Sequence, residues 1–350
     1  MPTRTNDSAT ASLQFLENLQ LVLAESLTSS TYKYALLVAL ADISLENDVD
    51  DQSELRIPVT RLAEKFLEIY WRHGLPYGAG IRDAGAGVLL QNRGQQAAVV
   101  PQADKLREYF GSPARARRDP RWHQEVAILA GRLEDMPLWR LQKLRTTTVD
   151  FLYPDNTGGD SITLRPGVAG HFRRFYSLVI RLVQAEWMAF LYSVSSNRPV
   201  LGNSGDLADF LFGPQRESLT AVRTSLQDLQ SGRCFYCEAE LGAPGDVDHF
   251  IPWSRYPRNL IHNLVLAHRT CNLNKSDVLA GDEFRVRWTL HISNNDSALH
   301  AIGEEFGLMA DRAAAIHVAE WCYSEAYRVG AEVWLGGGRY ERLERGSRSR

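Results

Sequence analysis

Two short pairs of metal-ligating residues, Cys234-x2-Cys237 and His268-x2-Cys271, constrain this chain more than any other feature. Zinc takes four sulfur or nitrogen donors in a tetrahedron at about 2.0–2.3 Å, and two tight turns can each present two of them with little further folding. The thirty residues between the pairs are therefore expected to close into a small module stapled by structural Zn2+, whose binding compensates for a tiny core. Reading the first pair as buried small apolar residues is weak, because Arg233 and Glu238 flank it. His268 earns its place by its spacing to Cys271 alone. The fourth cysteine, Cys322, lies in a helical pattern with Ile316 and Trp321 and is expected in the core.

Four cysteines in 350 residues are too few for a disulfide-stapled secreted scaffold. Lys+Arg number 39 against 42 Asp+Glu, a formal charge of −3, so no basic field covers the whole molecule and any polyanion site must be local. Hydrophobic residues at 44% and charged residues at 23% exclude wholesale disorder and a coiled-coil rod. The start, MPTRTNDSATAS, is polar and leads into an amphipathic stretch containing Glu17 and Glu25, unlike a signal peptide. The longest apolar run, Tyr34 to Ala41, is too short to span a bilayer. A soluble, cytoplasmic protein without a membrane partner is the expectation.

Most of the chain before residue 215 has helical periodicity. Leu16, Leu19, Leu23 and Leu27 form one stripe from Leu13 onward, with Ser12 as its N-cap. The stretch from Tyr32 to Glu46 is apolar on most sides and predicts a central helix. A third helix follows Pro58, with Leu62, Phe66, Ile69 and Tyr70 on one face. Residues 80–111 fit either a short hairpin or a loop returning into helix. Arg115, Arg117, Arg118 and Arg121 precede a Trp122-led helix and suit either phosphate contact or a solvated helix start. An extended DFLYP segment and ITLRP come before one long helix from His171 to Tyr192, whose aromatic stripe predicts core. The domain boundary is expected between about 200 and 225, where Pro, Gly, Asn and Ser gather. The C-terminal GGGRYERLERGSRSR is expected to fray.

Inside the zinc frame lies a second donor set: Asp248-His249, Asn263, and Asn272 with Lys275. These oxygen and nitrogen groups suit a harder metal than the thiolates do. A CxxC pair, a DH dipeptide followed by Ile251-Pro252, then Asn263-Leu264-Val265, and an ending Cys271-Asn272-x2-Lys275 stand here in fixed order. In this the sequence resembles the HNH, or ββα-metal, nuclease superfamily. The ending NLNKSD is similar to the HNH domains of RNA-guided CRISPR nucleases and McrA-like restriction enzymes. The resemblance covers about 60 of the 350 residues.

The resemblance implies His249 as the general base that takes a proton from the attacking water, a task suited to an imidazole with an ordinary pKa near 6.5. It implies Asp248 and Asn272 as the pair holding one catalytic Mg2+, with Mn2+ as substitute. It implies Asn263 as the residue that fixes the hairpin loop and orients the His249 ring, and Lys275 as a side chain able to reach a phosphate. Asn272 stands where His is more frequent in the family, which favours Mg2+ over softer metals, and His268 stands where the second knuckle more often has Cys. His262 is expected to be a loop residue. Arg255, Arg258, Arg269, Arg285 and Arg287, interleaved with Trp253, Tyr256 and Trp288, offer a local positive and stacking surface, although the resemblance also places Trp288 in a helix packing back on the module.

The expected fold class is thus α+β. A mainly helical region (1–215) selects substrate, partner or signal, or dimerises; a zinc-stapled ββα-metal nuclease module spans 216–295; helices and a flexible tail occupy 296–350. The expected function is a Mg2+-dependent DNA endonuclease, with RNA as a possible substrate, in bacterial restriction or anti-phage defence by analogy. The alternative is a catalytically idle zinc-stapled module for nucleic-acid binding or scaffolding, which would need only the cysteines and His268.

Overall fold

The computed structural model describes residues 3–26, 28–78, 87–154, 159–202, 206–213, 216–242 and 244–345. The chain divides into two units, Met1–Phe212 and Gly213–Arg350. No helix among the described residues is long and apolar enough to cross a membrane.

The first unit is helical around one apolar element. Helix α1 (Thr3–Glu25) buries Phe15, Leu19, Val22 and Leu23; Leu16 is only half-buried, and Leu27 lies outside the described residues. Ser12 is not its cap. The helix starts earlier, and the buried Ser12 hydroxyl accepts a hydrogen bond from Arg174 at 3.2 Å. Ser and Thr cost a helix only about 0.5 kcal/mol per residue, a penalty that packing overrides. Helix α2 (Tyr32–Glu46) is buried at every residue from Tyr34 to Glu46, as its all-round apolar pattern requires. Its acids are partnered rather than solvated: Asp42 accepts from the Tyr176 hydroxyl at 2.7 Å, and Glu46 meets Lys65 at 2.5 Å.

Strand β1 (Leu55–Pro58) leads directly into α3 (Val59–Tyr70), which buries Leu62, Phe66 and Tyr70. The segment expected as hairpin or loop ends in helix α4 (Val99–Phe110), while residues 79–86 lie outside the described residues. Helix α5 (Pro120–Asp135) is capped by the Asp119 side chain. Two of the arginines expected before this helix are committed to their own fold: Arg117 pairs with Glu68 and Glu64, and Arg121, already inside the helix, pairs with Asp119 and lies 3.7 Å over the Tyr109 ring.

DFLYP, expected as a short strand or extended segment, is no strand and bends at Leu152 and Tyr153; the Gln142 side chain takes the place of a neighbour, accepting from Phe151 and Leu152 N–H and donating to the Tyr153 carbonyl. The strand is β2 (Ser161–Leu164), antiparallel to β1. The expected single helix is two, α6 (Val168–Arg174) and α7 (Tyr176–Ser193), because Phe175 leaves the helical region at φ −106°, ψ 17°. The predicted stripe, Phe172, Tyr176, Val179, Val183 and Phe190, is buried.

The second unit begins with short helices that end in α8 (Arg223–Leu229). Then come β3 (Asp246–His249), a 3-10 turn (Ile261–Asn263), β4 (Leu264–Ala267) and α9 (Arg269–Lys275). β3 and β4 pair antiparallel, with Asp248 opposite Val265 and His249 opposite Leu264, and α9 packs on β3. This is a ββα unit. Behind it, β5 (Leu279–Ala280) is followed by α10 (Asp282–Asn294), α11 (Asp296–Phe306) and α12 (Arg312–Val329). Trp288 of α10 stacks on Phe250 at 4.8 Å and 6° between planes. Cys322 is buried in α12.

The C-terminal segment does not fray through Arg345. Strands β6 (Glu332–Trp334) and β7 (Tyr340–Arg342) form a hairpin, and β6 adds in parallel to β5. Gly336, Gly337 and Gly338 have φ of 90°, 55° and 81°, a run that only glycine adopts without strain. A glycine-rich stretch that looks like a floppy tail is here a turn.

Candidate metal centre and active site

The first knuckle is a tight turn in which Glu238 N–H donates to the Cys234 carbonyl, and Glu238 itself takes a left-handed φ of 59°. The second is the start of α9, with His268 as the residue preceding the helix and Cys271 in its first turn. The ligand atoms of Cys234, Cys237, His268 and Cys271 all lie within 4.8 Å of one another. Cys237 Sγ is 3.2 Å from His268 Nδ1, and His268 Nε2 faces the Glu240 carbonyl at 3.1 Å. A carbonyl can only accept, so Nε2 carries the proton and Nδ1 turns its lone pair to the sulfurs, the usual arrangement of a ligating histidine.

The electrostatics point the same way. Burial, then the neighbouring Cys234 and Cys237, push the Cys271 thiol up to about 12, since clustered thiolates repel unless a cation joins them. Burial opposes ionisation of Cys234 too, yet backbone N–H groups of Cys237, His268 and Tyr236 aimed at its sulfur bring that thiol below its ordinary value. Three sulfurs and one imidazole nitrogen in this space fit a closed zinc site.

The second donor set gathers on β3, the loop 250–263 and α9. Asp248 is buried, and its Oδ2 accepts from the Tyr236 hydroxyl at 2.5 Å and from Lys275 Nζ at 3.0 Å. Burial and the Asp248 charge push the Tyr236 phenol well above its ordinary value, so it remains a donor. Oδ1 has only a long contact to Lys275, 3.4 Å. Asn272 stands one helical turn before Lys275, hence on the same face of α9, and is half-buried. A carboxylate oxygen and an amide oxygen are hard donors that fit a cation such as Mg2+.

Lys275 does not reach outward to a phosphate. It is fully buried, donating to the His249 carbonyl at 2.9 Å as well as to Asp248. An ammonium with two oxygen partners at the helix C-terminal turn is better satisfied inside than its spacing suggested. Lys275→Ala should therefore act on stability: removing one partner of a buried pair destabilises by about 3–5 kcal/mol. Thermal unfolding checks this, and an unchanged Tm would refute the internal role.

Asn263 bridges the loop to Ile251. Its Oδ1 accepts from Ile251 N–H at 2.8 Å, its Nδ2 donates to the Ile251 carbonyl at 2.9 Å, and its own carbonyl accepts from Phe250 N–H at 2.8 Å. Its side chain is spent on that staple and does not orient His249. The ring is held instead by Asn259, whose Oδ1 lies 2.8 Å from Nε2, with Trp253 edge-on at 5.3 Å. An amide oxygen accepts, so Nε2 is protonated and Nδ1 keeps a free lone pair. Burial pushes the His249 pKa below the ordinary histidine value, partly opposed by Asn259 and Asp248. Asn259 and Tyr236 were both missed in the sequence: one sits in an irregular loop, the other between the two cysteines, and neither position carries a spacing signal.

The expected positive surface is smaller than the sequence suggested. Tyr256 and Trp288 are buried, and Trp288 donates to the His262 carbonyl at 3.0 Å. Arg287 donates to the Phe235 and Tyr236 carbonyls, bracing the knuckle, and Arg285 pairs with Asp282 at 3.0 Å. Exposed Arg269 and half-buried Trp253 remain beside the site. His262, expected in a loop, is wholly buried on the 3-10 turn, with Nε2 at 2.9 Å from Asp296.

Residues 234–280 match the family model of HNH endonucleases, and residues 12–110 match a domain of unknown function, DUF8808. No curated protein and no solved structure matches the chain.

Proposed function

We propose, from the premise that residues 234–280 form an HNH endonuclease domain, that this protein is a metal-dependent nuclease hydrolysing DNA phosphodiester bonds with His249 as general base. The observation that carries the reading is the His249 ring itself. It lies beside Asp248 on β3, is tethered through Nε2 to Asn259, and leaves Nδ1 free on a neutral imidazole. Such a group takes a proton from water without first having to lose one.

Asp248, through Oδ1, and Asn272 would hold the catalytic Mg2+ or Mn2+. A hard dication there would stabilise charge on the phosphoryl oxygens and on the departing 3′ oxygen. Tyr236 and Lys275 fix the other carboxylate oxygen and so aim the first. Asn263 keeps the loop closed, and Trp253 and Arg269 would meet the nucleic acid. Cys234, Cys237, His268 and Cys271 would hold Zn2+ as a staple. The helical unit would choose substrate, partner or signal, since a module of this kind recognises backbone shape more than sequence. A role in restriction or anti-phage defence in the cytoplasm extends this reading by analogy.

The test is cleavage of supercoiled plasmid with Mg2+ or Mn2+. One such site cuts one strand per visit, so nicked circles should precede linear product. EDTA should stop the reaction and added Mg2+ restore it, zinc staying in its thiolate cage. Asn259→Ala should slow nicking by about 10–100-fold, by analogy with loss of the hydrogen bond that orients a metal-ligating histidine, at unchanged Tm; an unaltered rate would mean the tether is idle.

One observation favours the second reading, a zinc-stapled module that binds without cutting: Asp248 is already neutralised by buried Lys275, which competes with a dication. Binding of DNA without cleavage of DNA or RNA by either metal would select it.

A further inference from the structure

A second group of ligating side chains lies away from the zinc frame. His262 on the 3-10 turn faces Asp296 and His300, which are four residues apart and so on one side of α11. His262 Nε2 is 2.9 Å from Asp296 Oδ1, and His300 Nδ1 is 3.4 Å from the same oxygen. The ligand atoms of all three lie within 4.8 Å of one another. Bonds of about 2.0–2.1 Å from one ion place tetrahedral donors roughly 3.3 Å apart. His262 Nε2 donates to Asp296 Oδ1 and His300 Nδ1 donates to the Asp296 carbonyl at 3.0 Å, so an ion binds by displacing both protons, and rotation of the His300 ring, 43% exposed, breaks the carbonyl contact and closes the remaining separation.

We propose that His262, Asp296 and His300 form a second metal site, taking a borderline divalent transition metal such as Zn2+. Two imidazoles and one carboxylate are a donor set for that class and not for Mg2+ or Ca2+. Arg312 does not block it: its guanidinium sits 3.7 Å from Oδ2, the other carboxylate oxygen. The remaining positions stay open to water, because Asp296 is about one-third exposed while His262 is buried.

The site has a structural consequence. His262 is followed by Asn263, whose side chain closes the loop onto Ile251, and His262's carbonyl receives the Trp288 indole. A metal joining His262 to α11 would tie the 3-10 turn to the helical layer behind it. Asn263 would then be held from both sides.

The proposal is independent of nuclease activity and is tested on the full chain carrying one zinc per chain, held by the cysteines, by titration with Co2+. One further equivalent should bind with visible d–d bands and without the thiolate charge-transfer band that a Co2+-substituted cysteine site gives. His300→Ala, at a half-exposed position, should lose that equivalent at unchanged Tm, and Asp296→Asn should lose it too. Asp248→Asn should keep it. No uptake by the parent, equal uptake by His300→Ala, a thiolate charge-transfer band, or loss in Asp248→Asn alone would each overturn the second site. The last of these outcomes would instead assign the Co2+ to the nuclease metal position and leave that reading intact.

Discussion

His249→Ala, purified in the same way as the parent, is expected to lose nicking of supercoiled plasmid by about 10²–10⁴-fold, the range that positioned proton transfer contributes. The ring touches Asn259 and the edge of Trp253, not the zinc frame, so zinc content and Tm should stay at parental values. That separation makes the experiment decisive. A parental rate in His249→Ala would remove the general base and with it the proposed mechanism, whereas loss of activity together with loss of zinc would signal a folding defect.

The second large effect is expected at the staple. Zinc binding in small modules is worth about 10–16 kcal/mol of apparent folding free energy. Losing one ligand of four through Cys234→Ser should forfeit about a quarter, roughly 2.5–4 kcal/mol, or roughly 5–16 °C in the Tm of a unit this size. Cys234 is the buried member of the set, and backbone N–H groups already point at its sulfur, so a hydroxyl there is poorly matched. Metal analysis should show less zinc per chain than in the parent. Parental Tm and zinc content in Cys234→Ser would refute the assignment.

The two variants should also differ in kind. His249→Ala should leave the second unit folded and inert; Cys234→Ser should loosen it, because Tyr236 lies between the two knuckle cysteines and its hydroxyl holds Asp248. The cysteine turn and the Asp248 carboxylate are thus joined by one side chain, and a slack knuckle would release Oδ2.

Much of the fold was legible where neighbouring residues alone decide the structure. The apolar run of α2 could only be a buried helix, and the spacing of Leu62, Phe66 and Tyr70 could only be the inner face of α3. Other elements escaped because distant partners override local preference. The Gln142 amide stands in for a strand beside DFLYP, Phe175 breaks a helix whose periodicity runs on, and the Gly336–Gly338 run closes a hairpin whose first strand also pairs with the distant β5.

In the site the same division holds. The chain's own order of residues determined the grouping of Cys234, Cys237, His268 and Cys271, the DH pair on a strand and the placing of Asn272 and Lys275 on one helix face, since turns and helical phase need no information from elsewhere. Only the tertiary structure decided where the longer side chains go. Lys275 turned inward because Asp248 and a carbonyl outbid water for its ammonium; Asn259, not Asn263, took the His249 ring because the loop folds back on itself; and His262 met Asp296 and His300 because α11 packs against the 3-10 turn. Spacing specifies which residues share a face, but the direction of a buried polar side chain depends on which partner packing brings within about 3 Å.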